Sequence, residues 1–180
     1  MLDNITRPRL FGARQILEVR EILIPVRAHA DWDNDTQTFL SWNEDILGPE
    51  PTNQELDDAF LGFAKERYKR ILATNRYDLE VGGTTAGPYS NIPTTREYQS
   101  LFNTLINFIS DNPSSDVNIK KPNGQFITLT AAQLTTVATA VRNHVQSCYE
   151  EEKRVSDLID AATDTTELGA TDSDIENFSY

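Results

Sequence analysis

Three stretches of the chain repeat apolar residues at intervals of three and four, the period that gives an α-helix one apolar face. Each stretch begins with a Thr that is followed three residues later by Glu or Gln, a capping-box pattern typical of a helix start. The predicted helices cover residues 52–74, 94–112 and ~131–162. At 1.5 Å per residue the third helix would be about 48 Å long. We therefore expect part of it to project or to pack on another subunit.

Short segments between these helices have the composition of β-strands. Residues 16–25 are rich in β-branched side chains and residues 76–81 alternate polar with apolar, so each segment predicts a strand. Residues 30–42 and residues 117–129, the latter with an Asn-Gly turn, predict two hairpins. The expected fold class is α+β, with small antiparallel β-hairpins packed against three amphipathic helices of which the last is long.

Charge is unevenly distributed along the chain. The net charge is −12, yet residues 1–27 hold five Arg against three acidic residues, whereas residues 163–180 hold five acidic residues and no basic one. Together with the pattern, this divides the chain into an irregular N-terminal arm plus strand for docking (1–27, with the irregular arm over 1–15), a hairpin and helix (28–75), an α+β domain (76–162) and an acidic tail (163–180). Two ends of opposite sign suggest two docking elements.

The residues expected to contact partners lie at these two ends. They are Arg7, Arg9, Arg14, Arg20, Phe178 and Tyr180. A mobile arm and a solubilising tail are an equally open interpretation of the same charges.

Net negative charge disfavours nucleic acid and anionic membranes as partners, because both would repel the protein. No apolar run approaches the roughly 18 residues of a membrane helix, so no membrane contact is expected. The lone Cys148 excludes an internal disulfide framework and fits a reducing cytosol.

Two local patterns resemble ligand-binding motifs, but each lacks residues that the motif requires. Asp31, Asp33 and Asp35 imitate the start of a calcium loop, but Thr36 and Trp42 stand where an EF-hand needs Gly and Glu. A hairpin turn is the better prediction. The glycine-rich residues 82–87 lack the Lys and Ser/Thr of a phosphate-binding loop, and we interpret them as an ordinary loop.

His144, Cys148 and Glu151 or Glu152 fall near one face of the third helix. They could contribute to a metal site, but zinc wants four ligands, or three and a water. Cysteine nucleophilic chemistry would need a third residue to orient the histidine, and none is evident. A packed helix face with a buried thiol is therefore favoured. No catalytic, cofactor-binding or metal-binding residue is predicted, and the protein is not expected to be an enzyme.

Several sequence pieces, in this order and spacing, resemble a tailed-bacteriophage domain of unknown function found in tail-fibre and tail-fibre-assembly proteins. They are residues 77–84, 92–97, 121–134, 141–148 and 158–162, within a matching region of about 76–172. The resemblance implies a tail-associated role and carries no catalytic residues.

These observations together predict a structural virion component: a baseplate, tail-fibre or fibre-adaptor protein acting through protein–protein contacts. It would be made in the bacterial host cytoplasm and reside in the virion tail. Its expected partners are other phage tail proteins and copies of itself in a symmetric assembly, and no cofactor is expected. Two alternatives stay open. One is a tail-fibre assembly chaperone that leaves before the particle is finished, and the other is an acidic DNA mimic that inhibits a nuclease.

Overall fold

The protein is represented by a computed structural model that describes residues 8–22, 25–33, 35–36 and 38–179. It divides into two compact units. Unit 1 comprises the described residues of Met1–Ile71 and all of Val155–Glu176, and unit 2 comprises Leu72–Arg154 with the described residues of Asn177–Tyr180. The boundaries of these units differ from those of the four segments suggested by charge and pattern. The reason is that each of the two longest helices contributes residues to both units.

The fold class is α+β, as the sequence predicts. The helices are α1 (Pro8–Val19), α2 (Glu44–Leu47), α3 (Asn53–Val81), α4 (Arg96–Asp111), α5 (Ala131–Ala161), α6 (Thr165–Gly169) and α7 (Asp172–Glu176). The strands form antiparallel pairs, β1 (Ala30–Asp33) with β2 (Thr38–Trp42), β3 (Thr84–Ala86) with β4 (Tyr89–Ile92), and β5 (Val117–Lys120) with β6 (Phe126–Leu129). None of the helices in the described part of the chain combines the length and apolar character that a bilayer crossing requires.

Two of the three predicted capping boxes form. The Thr52 N–H donates to Glu55 at 2.7 Å, and the Glu55 N–H donates back to the Thr52 hydroxyl at 3.2 Å. Thr130 and Gln133 exchange the same pair of bonds at the start of α5. The box predicted at Thr94 is wrong, because its hydroxyl accepts the Gly83 N–H instead and α4 begins two residues later.

The N-terminal region departs most from expectation. An irregular arm over 1–15 and a strand over 16–25 are predicted, but the structure places helix α1 across their junction. Both predictions are therefore wrong where the structure describes these segments. Residues 1–7 and 23–24 lie outside the described part of the chain.

Packing against α3 explains why this segment is helical. Leu10, Ala13 and Leu17 repeat at helical spacing and join the core of unit 1. Gly12 brings the backbones of α1 and α3 together, since a Cβ built there would lie 2.1 Å from the Leu56 carbonyl oxygen. Burial of this face outweighs the strand preference of its β-branched neighbours, because β propensity depends strongly on context.

The predicted strand at 76–81 is also wrong, because α3 continues to Val81. The glycine-rich residues 82–87 do not form a simple loop, since they contain strand β3, which pairs with β4. Gly83 and Gly87 have φ values of +96° and +54°, a conformation that glycine adopts without steric cost. They therefore form the sharp turns that follow α3 and join the two strands.

The hairpin predicted at 117–129 is confirmed, with Lys120 opposite Phe126. Its turn differs in detail from a tight Asn-Gly turn. The Gly124 N–H donates to the Lys121 carbonyl at 2.9 Å, and Gly124 has a φ of +84°. This pattern is a turn closed by a glycine bulge. The inner face of the hairpin joins α4 and α5 in the core of unit 2, formed by Phe102, Ile109, Ile119, Leu129, Leu134 and Val141.

Residues 163–176 of the segment expected to be an acidic tail are folded into unit 1. Leu168 of α6 and Ile175 of α7 are fully buried. The Asp164 carboxylate accepts the N–H groups of Thr166 and Glu167, both at 2.8 Å, and so caps α6. At least one acidic residue of the tail therefore stabilises local structure.

The long helix α5 spans the predicted residues, but its end does not project. Val155 and Ile159 are fully buried in unit 1. Asp160 accepts a bond from Lys69 at 2.7 Å, and its backbone carbonyl accepts one from Lys65 at 2.8 Å. The last turns of α5 are thus held by this same chain, which corrects the expectation that they extend beyond it.

Candidate functional site

The described arginines among the predicted docking residues each bind a different partner within the chain. Arg9 makes a bidentate pair with Asp57, at 2.8 and 2.9 Å. Arg14 pairs with Glu18 one turn along α1 at 3.2 Å. The hydrogen bonds and charge of Asp57 raise the pKa of Arg9 above its ordinary value. Arg9 therefore links α1 to α3 within unit 1.

The remaining predicted docking residues are Arg20, Phe178, Arg7 and Tyr180. Arg20 donates to the backbone carbonyl of Pro49 at 2.8 Å and to that of Leu47 at 3.4 Å. Phe178 is half-buried. Arg7 and Tyr180 lie outside the described residues.

The aspartates at 31, 33 and 35 belong to the first hairpin. The Asp33 carboxylate accepts the N–H groups of Asp35 at 2.8 Å and Thr36 at 3.4 Å. The first of these bonds is the main cause that lowers the pKa of Asp33. This geometry is a side-chain-stabilised turn, as the hairpin interpretation predicts.

A buried polar cluster in unit 2 is the most unusual arrangement of charged groups that the structure describes. Its centre is Glu80, whose side chain is 0% exposed near the end of α3. The carboxylate accepts from Arg76 on the same helix, from Arg96 at 3.2 Å and from Gln99 at 3.0 Å. Its negative charge is therefore compensated by two guanidinium groups and one amide, as a buried carboxylate requires.

Helix α5 supplies the other side of the cluster. Arg76 donates to Glu152 at 3.1 Å and lies over the ring of Tyr149, 4.7 Å from its centroid. The Tyr149 hydroxyl accepts from Arg96 at 3.0 Å. That bond first, and the charge of Glu80 second, raise the pKa of Arg96. The cluster thus joins α3, α4 and α5.

His144 and Cys148 lie beside this cluster, and both are buried. His144 Nε2 is 3.0 Å from the Leu79 carbonyl and 3.1 Å from the Glu80 carbonyl. These carbonyls belong to the last turn of α3, where backbone oxygens lack partners within the helix. The imidazole therefore holds the end of α3, which agrees with the predicted packed face.

The Cys148 thiol is poorly suited to nucleophilic chemistry. Burial, followed by the charge of Glu80, raises its pKa to about 11. The attacking species of a cysteine is the thiolate, so at neutral pH the reactive form is scarce. Across the described residues, no three His, Cys, Asp or Glu side chains are grouped in a way that could hold a metal ion.

Sequence reasoning missed the Glu80 cluster. Arg76 and Glu80 are spaced as an ordinary i, i+4 surface pair, and the segment was expected to be a strand. The signal that the sequence does contain is local: Arg76 and Glu80 lie four residues apart, and Gly82-Gly83 follow. That pairing does not reveal burial, because the covering residues come from distant helices.

The structure defines an α+β protein whose polar centre is a structural ion network joining three helices. The chain belongs to the family described as Domain of unknown function (DUF4376), which it matches over residues 63–177. No curated protein and no solved structure matches it. Every residue of the Glu80 cluster lies within the matched region.

Proposed function

We propose that this protein is a structural component of a bacteriophage tail that acts through protein–protein contacts and not through catalysis. The tail setting rests on the resemblance of residues 76–172 to domains of tail-fibre and fibre-assembly proteins. The non-catalytic role rests on one observation. The groups most suited to chemistry are committed to holding helices together.

The Glu80 cluster carries this second argument. A catalytic carboxylate or histidine needs access to a substrate, whereas Glu80 is 0% exposed and its three partners are protein side chains. His144 contacts helix-end carbonyls, and Cys148 is held as a thiol. Their arrangement suits a rigid scaffold.

The fate of the acidic residues weakens the DNA-mimic alternative. A DNA mimic needs exposed carboxylates in rows that replace phosphates. Here Asp57, Glu151 and Asp160 each bind a basic side chain, and Asp164 caps a helix. These carboxylates stabilise the chain's own fold.

Mass spectrometry of purified particles from a phage that encodes this gene tests the proposal. We expect peptides of the protein at a stoichiometry fixed relative to other tail proteins. A chaperone would be required for infectivity but absent from finished particles. Absence from particles would therefore reject the virion role and favour that alternative.

A Cys148→Ala phage tests the non-catalytic part. We expect plaques at normal frequency, because the substitution removes only a buried thiol. If the purified variant is folded and yet the phage forms no plaques, the thiol has a chemical role and the proposal is wrong.

A test of docking by the N-terminal region requires substitution of an exposed residue and not deletion of the region. Helix α1 carries core residues, so removing it would unfold unit 1 and reveal nothing about docking. The Arg14 side chain is 68% exposed, and Arg14→Glu should reduce particle incorporation if the predicted docking is correct. Lys153→Glu is the matched control, because it makes the same change of charge at another exposed basic residue. Equal incorporation of both variants would remove Arg14 from the docking surface.

A further inference from the structure

Helix α4 carries a stripe of side chains that the described residues of the chain leave exposed. Glu97, Leu101, Thr104, Phe108 and Asp111 are all exposed and are spaced by four, three, four and three residues. This is the spacing of a helix–helix seam. At 1.5 Å per residue the stripe runs about 21 Å, with apolar side chains in the middle and a carboxylate at each end. We call it the α4 stripe.

The α4 stripe cannot pair well with itself. In a parallel arrangement each carboxylate would face its own counterpart, and in an antiparallel arrangement Glu97 would face Asp111. Both arrangements bring like charges together at the two ends, which destabilises a helix pair. The two exposed apolar residues, Leu101 at 37% and Phe108 at 45%, therefore fit a different surface.

A groove between α4 and α5 in unit 2 provides such a surface. Its volume is about 290 Å³ and its floor is apolar, formed by Phe102, Ala138 and Val141. Arg142 lies at its rim, exposed to solvent, and donates to the Asn103 side chain at 3.2 Å. We call it the α4–α5 groove.

The groove matches the stripe in size and in charge. Pockets for drug-sized ligands have volumes of roughly 300–1,000 Å³, and the groove, at about 290 Å³, has room for one or two inserted side chains. Phe108 and Leu101 are such side chains, and an end carboxylate of the stripe would meet the Arg142 guanidinium. In a chain of net charge −12, an exposed arginine beside an apolar groove favours an acidic partner.

We infer that the α4–α5 groove of one copy binds the α4 stripe of a second copy. The stripe and the groove-lining residues Gln99 and Asn103 lie on opposite flanks of α4, roughly 140° apart at 3.6 residues per turn. Each copy therefore presents both a donor and an acceptor surface. Such a head-to-tail contact leaves one surface unused at each end and continues into a ring or a filament.

This inference deepens the proposed function by naming one partner, and it depends on that function only for its biological setting. Specific interfaces commonly bury 1,200–2,000 Å², and one helical stripe buries less than that. Self-association of the isolated protein is thus expected to be weak and concentration-dependent. In a closed ring, or beside other subunits, many such contacts act together.

Sedimentation of the full chain at increasing concentration tests the contact. We expect wild type to form species larger than a dimer. Phe108→Asp blocks the stripe and Arg142→Glu blocks the groove, so each variant alone should associate at least tenfold more weakly. An equimolar mixture of the two variants should form a dimer and stop there, because only one intact stripe and one intact groove remain. Circular dichroism melting verifies that each variant is folded.

Phe126→Asp is the control, since Phe126 is 68% exposed on a hairpin strand outside the stripe and groove. It should associate as wild type does. Three results would overturn the inference: a monomeric wild type at every concentration, variants that associate as wild type does, or a mixture that does not dimerise. Particle composition is a separate measurement, so failure here is distinguishable from failure of the virion role.

Discussion

Replacing Glu80 by Gln tests the structural role assigned to the buried cluster. Glutamine keeps the size of the side chain, removes its charge and replaces one acceptor oxygen with an amide that donates. Arg76, whose side chain is only 14% exposed, and Gln99 would then face a partner that satisfies fewer of their N–H groups. The polar centre would keep its positive charge without full compensation.

The expected loss of stability follows from how buried the partners are. Removing one member of a buried ion pair costs about 3–5 kcal/mol, because the other charge stays buried and unpaired. Arg76 keeps its bond to Glu152, and Arg96, which is 58% exposed, can regain water. Both place the cost near the lower limit, about 3 kcal/mol. For a chain of this size such a loss lowers Tm by roughly 6–12 °C.

Chemical denaturation followed by circular dichroism measures this loss. Glu151→Gln is the matched control, because Glu151 lies on α5 beside the cluster residue Glu152 and pairs with the half-exposed Arg154. Exposed pairs of this kind contribute less than about 1 kcal/mol. If Glu80→Gln costs no more than Glu151→Gln, the cluster does not stabilise the fold as argued.

Three further outcomes are expected. Gly12→Ala should destabilise unit 1 by about 1–3 kcal/mol because a Cβ would collide with the backbone of α3, whereas Gly62→Ala, which meets no atom within 4 Å, should be neutral or stabilising in the same urea titration. Stability should fall between about pH 9 and pH 11, by about 2–3 kcal/mol, because the unfolded Cys148 thiol loses its proton before the folded thiol, whose pKa is about 11. Cys148→Ala should remove that pH dependence, and a slope unchanged in the variant would assign it to another group. Removal of residues 163–180 should unfold unit 1 because Leu168 is fully buried, and a protein truncated there with wild-type Tm would contradict this.

The sequence predicts the elements that local pattern alone determines. The α5 helix and the hairpin at 117–129 have strong periodicity and turn residues, and both form. The N-terminal helix was missed because its β-branched residues resemble a strand, while the contact that favours a helix is the approach of Gly12 to Leu56. The two residues are far apart in the sequence, so no local sequence pattern reveals that they are in contact.

The same reasoning explains why the sequence predicts only part of the candidate site. His144 and Cys148 could be placed on one helix face from their spacing, and the structure places both in the interior. The same spacing argument does not reach their neighbour Glu80, because the pattern of residues 76–81 predicts a strand. Its partners Arg96 and Gln99 follow a hairpin whose path the sequence does not specify.

The division of the chain has a consequence for its synthesis. Unit 1 is built from the two sequence-distant segments Met1–Ile71 and Val155–Glu176, whereas most of unit 2 is the continuous segment Leu72–Arg154. As the ribosome releases the chain, unit 2 can fold while unit 1 still lacks α6, α7 and the end of α5. The first 71 residues must wait, with apolar surface exposed, until the segment Val155–Glu176 has also been made. Because long-range closure slows folding, this delay makes residues 1–71 the part of the nascent protein most dependent on protection from aggregation.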